Sequence, residues 1–143
     1  MQSYGPEARG GASSADVIVS DAPVDYPLVT EPDILMALFQ EAYVRYRPGL
    51  KKDGILILEE GLVQPADGET GYWAVPATKM AEELGKKIVT NVVALGYLVG
   101  KTGVVAIESI EKALRATVKP SFIDLNLKAL DAGFERAQHD SQR

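Results

Sequence analysis

The sequence predicts an α/β fold: a parallel sheet flanked by helices, passing into a mainly helical C-terminal third. Three observations predict it. Residues 15–20 (ADVIVS) and 55–58 (ILIL) are apolar runs of strand length, and a stretch of helical periodicity lies between them. That order is a βαβ unit, whose two strands are parallel and covered on both faces. Beyond residue 90, apolar side chains recur at helical spacing in three successive segments. Finally, 143 residues with 46% apolar and 24% charged side chains suffice for one domain with its own core.

The elements follow in order. Residues 1–12 (MQSYGPEARGGA) are rich in glycine and proline and read as a loop. The first strand is expected at 15–20, followed by a connection rich in Asp and Pro at 21–27. Thr30-Glu31-Pro32-Asp33 has the chemistry of a helix start: a capping hydroxyl, a first-turn proline and two carboxylates at the positive end of the dipole. Leu35, Leu38, Ala42 and Tyr46 continue it at helical spacing, and Pro48-Gly49 stops it. The strand at 55–58 comes next, then a polar loop at 64–70 and a short strand at 72–75 closed by Pro76. A helix is expected from 78 to 84, ending at Gly85. Asn91 can cap an apolar helix to 99, bounded by Gly100 and Gly103. Ile107, Ile110 and Leu114 mark another helix, and Ile123, Leu127, Leu130 and Phe134 a third, which opens at Pro120-Ser121. One domain spans 1–137, and the polar tail 138–143 is expected to fray.

Composition excludes several function classes. There is no cysteine, hence no disulfide, cysteine nucleophile, thiolate zinc site or cysteine-held iron–sulfur cluster in this chain. A net charge of −5 argues against a nucleic-acid binder, which needs a basic face. The longest apolar run, near residues 92–99, is too short to cross a bilayer, and no signal peptide is visible. These features favour a soluble cytoplasmic protein.

Chemistry concentrates in the opening loop. Gly5-Pro6 and Gly10-Gly11 permit tight turns and close backbone approach, and between them stand Glu7 and Arg9, with Tyr4 just before. A carboxylate, a guanidinium and a phenol so placed can grip an anionic or phosphorylated group. The same residues also suit a surface loop whose Glu7 and Arg9 pair with each other or with the domain body.

SYGPEARGG followed by ASSADVIVSD resembles the signature of the gamma subunits, or gamma domains, of the 2-oxoacid:ferredoxin oxidoreductases. The resemblance continues in order through DYPLVTEPDILMALFQEAY, GILILEEGLV, VPATKMAEELG, TNVVALGYLVGKTG and LNLKALDAGFERA. Residues 25–43 look most like the 2-oxoglutarate type. The resemblance implies a Rossmann-like α/β domain within a multisubunit enzyme. That enzyme decarboxylates a 2-oxoacid with thiamine diphosphate, transfers the acyl group to coenzyme A and passes two electrons through iron–sulfur clusters to ferredoxin. It places the thiamine cofactor and the clusters in alpha and beta, and in some members delta, subunits, with none bound by this chain alone. The resemblance implies a domain that helps enclose coenzyme A, and the chemistry of the opening loop makes Tyr4, Glu7, Arg9, Gly10 and Gly11 the expected contacts with coenzyme A or a neighbouring subunit, with no catalytic residue and no metal ligand here. The alternative within the same complex is a purely structural assembly subunit that touches no ligand. An independent small binding protein or hydrolase built on Glu7 and Arg9 ranks last, since no nucleophile–base pair accompanies them.

In one respect the sequence departs from that family. Its members begin with a strand, a glycine-rich loop of the G-x-G-G-Q-G kind, a helix and a second strand before SYGPE, whereas Ser3 here is the third residue. A domain incomplete at its N-terminus is the resulting expectation, with apolar surface uncovered near 17–19 and 55–58.

Weaker candidates remain. Glu59-Glu60 falls at a strand's carboxyl end, where open α/β sheets place ligands, but adjacent residues point to opposite sides and a solvated strand end explains them. Asn91 is more simply a cap than a ligand-orienting group. His139 lies in the polar tail and has no role, and Lys51-Lys52 and Lys86-Lys87 read as solvated ends of elements.

Overall fold

The structure is a computed structural model and describes residues 2–3, 13–25 and 28–143, the first pair as backbone only. Strands β1 (Gln2–Ser3) and β2 (Ser14–Ala15) pair antiparallel as a two-stranded ribbon. The main sheet comprises β3 (Ile34–Ala37), β4 (Ile55–Glu59) and β5 (Trp73–Val75), in that spatial order and all parallel.

Pleating sorts the side chains of this sheet into two layers. Leu35, Ala37, Leu56 and Leu58 face α1 (Gln40–Tyr46), where they meet Tyr43, Leu50 and Val63. Met36, Ile55, Ile57 and Val75 face the opposite way, toward α2 (Ala77–Glu83), α3 (Thr90–Thr102) and α5 (Ile123–His139). The amphipathic α4 (Ile107–Thr117) packs Ile107, Ile110 and Leu114 on the same layer. Register Leu35↔Leu56 and Met36↔Ile57 keeps like faces together, and both faces of β4 are covered, as a parallel strand requires.

The helical layer depends on close approach of α3 and α5. A Cβ on Gly96 would lie 2.1 Å from the Leu130 carbonyl oxygen, and one on Gly133 would lie 1.9 Å from that of Val93. Glycine lets the two backbones touch, and Tyr97, Val93 and Leu130 are completely enclosed around the crossing. Helix α3 runs through Gly100 and stops at Gly103, whose φ of 63° is the left-handed cap that favours glycine.

Several sequence expectations are corrected here. The expected first strand at 15–20 is not a sheet strand: only Ser14–Ala15 pairs, with Gln2–Ser3, and residues 16–20 carry no regular secondary structure. A β-branched run favours a strand only when a neighbour receives its hydrogen bonds and one face is covered. Val17 and Val19 are instead 76% and 65% exposed. The exposed apolar surface expected at 17–19 is thus present, whereas Ile57 and Leu58 of the other expected patch are fully enclosed.

The expected helix from Thr30 divides. Residues Ile34–Ala37 form β3 and only Gln40–Tyr46 is helical, so the parallel partner of β4 is β3 and not 15–20. A short apolar run serves either state, and pairing with β4 decides it. Asn91 caps nothing: α3 begins at Thr90, whose hydroxyl donates to the Lys87 carbonyl at 2.6 Å, and a 3₁₀ turn at Lys87–Val89 leads into the helix. The C-terminal residues, expected to fray, are bonded to the body of the domain. Helix α5 continues to His139, and Arg143 exchanges backbone hydrogen bonds with Tyr72, N–H to oxygen at 2.8 and 3.1 Å.

Candidate functional site

Because β3, β4 and β5 run the same way, their carboxyl ends share one edge, the place where open α/β sheets bind ligands. Phe39, Glu59 to Gly61, and Pro76 lie along it. Glu59 has the same parity as Ile57 and therefore turns toward the helical layer. It is only 1% exposed, so the solvated strand end expected from the sequence is corrected. Its Oε1 accepts the Thr78 N–H at 3.0 Å and its Oε2 the Gly61 N–H at 2.7 Å. A buried carboxylate is tolerated because both oxygens are satisfied by backbone donors. It ties the first turn of α2 to the end of β4. Glu60 turns outward and pairs with the Arg143 guanidinium.

The connection from β4 to β5 contains no helix and is stapled at three points to α1 and to Arg47, the residue that caps it. Gln40 and Gln64 bond reciprocally, side-chain amide to backbone, at 3.1 and 2.6 Å. The Tyr43 hydroxyl accepts the Ala66 N–H at 3.0 Å and donates to Glu69 at 2.8 Å. Arg47 grips the same Glu69 carboxylate with two nitrogens, each at 2.8 Å. The Arg47 hydrogen bonds hold the Glu69 carboxyl below its ordinary range despite partial burial, and Glu69 in turn raises Arg47. Burial, more than the neighbouring carboxylate, pushes the Tyr43 hydroxyl up. These bonds tie the middle of the connection, Gln64 to Glu69, to the helix beside it.

Tyr4, Glu7, Arg9, Gly10 and Gly11, the contacts expected from the sequence, lie outside the described residues. The structure places what flanks them. Ser3 and Ser14 are paired across the ribbon, so both ends of the intervening segment are anchored together. The Tyr46 hydroxyl of α1 donates to Ser14 Oγ at 3.2 Å, which docks the base of that segment on the helix that also carries Tyr43. Of the weaker candidates, Asn91 and His139 are exposed, Lys51 pairs with Asp33 at 2.6 Å, and Lys86 lies over the Phe122 ring at 5.6 Å. Sequence reasoning missed Tyr43, Arg47 and Glu69. Tyr43 and Arg47 are four residues apart on one helix face, but nothing local announces a partner 22 residues further on. Among the described residues no group of three or more His, Asp or Glu side chains is placed to hold a metal ion, and no helix is long and apolar enough to cross a membrane.

Residues 1–136 match the pyruvate ferredoxin/flavodoxin oxidoreductase family. The 2-oxoglutarate synthase subunit KorC of Methanothermobacter thermautotrophicus is 42% identical over 149 aligned residues, covering 99% of this chain and 79% of that protein. The gamma subunit of a keto/oxoacid ferredoxin oxidoreductase from Geobacter sulfurreducens superposes with a TM-score of 0.82 at 42% identity, over 98% of this chain and 79% of that one. A 2-oxoglutarate:ferredoxin oxidoreductase from Magnetococcus marinus superposes with a TM-score of 0.66 over 78% of this chain and 20% of its own. At 22% identity this last likeness concerns the fold alone.

Proposed function

The chain belongs to the pyruvate ferredoxin/flavodoxin oxidoreductase family, and we propose that it is the gamma subunit of a multisubunit 2-oxoacid:ferredoxin oxidoreductase, with 2-oxoglutarate as the 2-oxoacid. The observation that carries this reading is the likeness, in both sequence and fold, of nearly all of this chain to about four-fifths of gamma-type subunits. In the complex, a 2-oxoacid loses carbon dioxide, its acyl group passes to coenzyme A, and two electrons go to ferredoxin. The chain takes part without carrying the redox groups. The proposed division puts the iron–sulfur clusters and thiamine diphosphate in the partner subunits, alpha, beta or delta, and the absence of cysteine from this sequence agrees with it. The cytoplasm is the proposed compartment.

Within this chain the segment holding Tyr4, Glu7, Arg9, Gly10 and Gly11 is the proposed contact with coenzyme A or with a neighbouring subunit. A guanidinium fork suits a phosphate or a carboxylate, and the glycines admit a close backbone. The ribbon pairing and the Tyr46–Ser14 bond support this reading because they hold both ends of the segment at a fixed place. A purely structural assembly role is the second reading. The exposed side chains of Val17, Val19 and Val44 favour it, since a docking subunit would cover them.

Reconstitution tests the proposal. The purified chain, supplied with 2-oxoglutarate, coenzyme A and thiamine diphosphate, should reduce neither ferredoxin nor viologen. Together with the other subunits of the complex, it should restore 2-oxoglutarate-dependent ferredoxin reduction. Full activity of the other subunits in its absence would overturn the reading.

A further inference from the structure

The four polar residues after α5 do more than end a helix. Asp140 accepts from Arg136 at 2.7 Å and from the Tyr97 hydroxyl at 3.0 Å, and its backbone oxygen accepts from Lys101 Nζ at 2.9 Å. Lys101 is thereby held 3.7 Å above the centre of the Trp73 ring on β5. Gln142 donates to the Gly71 oxygen at 2.6 Å, and the Gly71 and Tyr72 N–H groups both reach the Arg143 oxygen. The reciprocal Arg143–Tyr72 bonds match one hydrogen-bonded residue pair of an antiparallel ladder, made to the residue just before β5. The Arg143 side chain then spans to Glu60, at the sheet's carboxyl edge.

We propose that residues 140–143 are a detachable strap that links the helical layer to the 60–72 connection and sets that connection's position at the carboxyl edge. Its chemistry is that of a strap. All four residues are polar, its attachments are hydrogen bonds and ion pairs, and the Arg143–Glu60 pair is half-exposed. Such a segment opens locally, without unfolding the core beneath it. It bonds both ends of the connection, Glu60 at its start and Gly71 and Tyr72 at its close, so release of the strap loosens the two ends together.

The test is hydrogen exchange on the full chain, read beside the fluorescence of Trp73, the single tryptophan. In an Asp140→Ala/Arg143→Ala variant the amides of Gly61, Val63, Gly71 and Tyr72 should exchange about tenfold faster. Trp73 should become more accessible to acrylamide, while Val93 and Tyr97 amides in α3 keep their protection. The milder Asp140→Asn should give the same pattern more weakly. Unchanged exchange across 60–72 would overturn the proposal. So would a parallel rise across 60–72 and α3, or failure of both variants to fold, because the tail would then be an integral part of the global fold.

Discussion

The Glu59 carboxylate accepts the backbone N–H of Thr78 at 3.0 Å, which joins the end of one buried strand to the start of the helix after the next. The same side chain serves Gly61, so two backbone donors at the sheet's carboxyl edge depend on one acid. Replacement by alanine leaves the half-buried Thr78 N–H without its acceptor, at about 1–3 kcal/mol for an unmet donor, while the exposed Gly61 N–H can turn to water. We expect Glu59→Ala to lower the unfolding free energy by about 2 kcal/mol in urea titrations. Glu59→Gln, which retains one acceptor, should cost less than that. Equal stability of all three proteins would show that the bonds contribute nothing.

The crossing of α3 and α5 should tolerate no added carbon. At an ordinary helix position Gly→Ala gains about 1 kcal/mol through propensity. At Gly133 the new Cβ would stand 1.9 Å from the Val93 oxygen, far inside contact distance and against backbone. Gly133→Ala and Gly96→Ala should each therefore destabilise, by about 1–3 kcal/mol, visible as a lowered Tm. An alanine at either site that raised Tm would contradict the packing described.

Acid should weaken the staple between α1 and the β4–β5 connection. Arg47 holds the Glu69 carboxyl below its ordinary value, so the folded state keeps it ionised where the unfolded chain begins to take up a proton. The stabilisation is complete above the unfolded carboxylate range and is lost as pH falls through the lower folded value. Wild type should thus exceed Glu69→Gln in stability at pH 7 by about 1 kcal/mol, a figure kept small because Arg47 is partly solvated. The difference should shrink below pH about 4. Denaturant titrations of both proteins across pH measure it, and a gap that widens on acidification would refute the assignment.

Arg9 offers the sharpest test of the proposed contact. In the assembled complex Arg9→Ala should cost about 2 kcal/mol, roughly thirtyfold in an equilibrium constant. A raised KM for coenzyme A would identify a coenzyme contact, and poor assembly at low protein concentration would identify a subunit contact. Arg9→Lys should recover part of the loss, since an ammonium cannot reproduce the fork. A variant altered only in Tm would assign the loop a structural role.

Local patterns determined a large share of this protein. The amphipathic spacing of α4 and α5 and the continuous apolar run of β4 each follow from residues a few positions apart, and the structure has them where the sequence puts them, whereas α3 runs past the expected end at 99 to Thr102. The motif series that resembles a gamma subunit is equally a property of the chain read in order. Tertiary structure alone decided what depends on a distant partner. Ile34–Ala37 became a strand and residues 16–20 did not, although the second run is the more β-branched, because β4 offered its ladder to one and nothing described covers the other. Glu59 is buried, not solvated, because the first turn of α2 arrives to use its oxygens. The polar tail is bonded to the domain because Tyr97, Lys101 and Tyr72, each more than 35 residues away, supply its partners. Hydrogen-bond satisfaction and burial are properties of neighbours in space, and a one-dimensional pattern carries them only when those neighbours are also close along the chain.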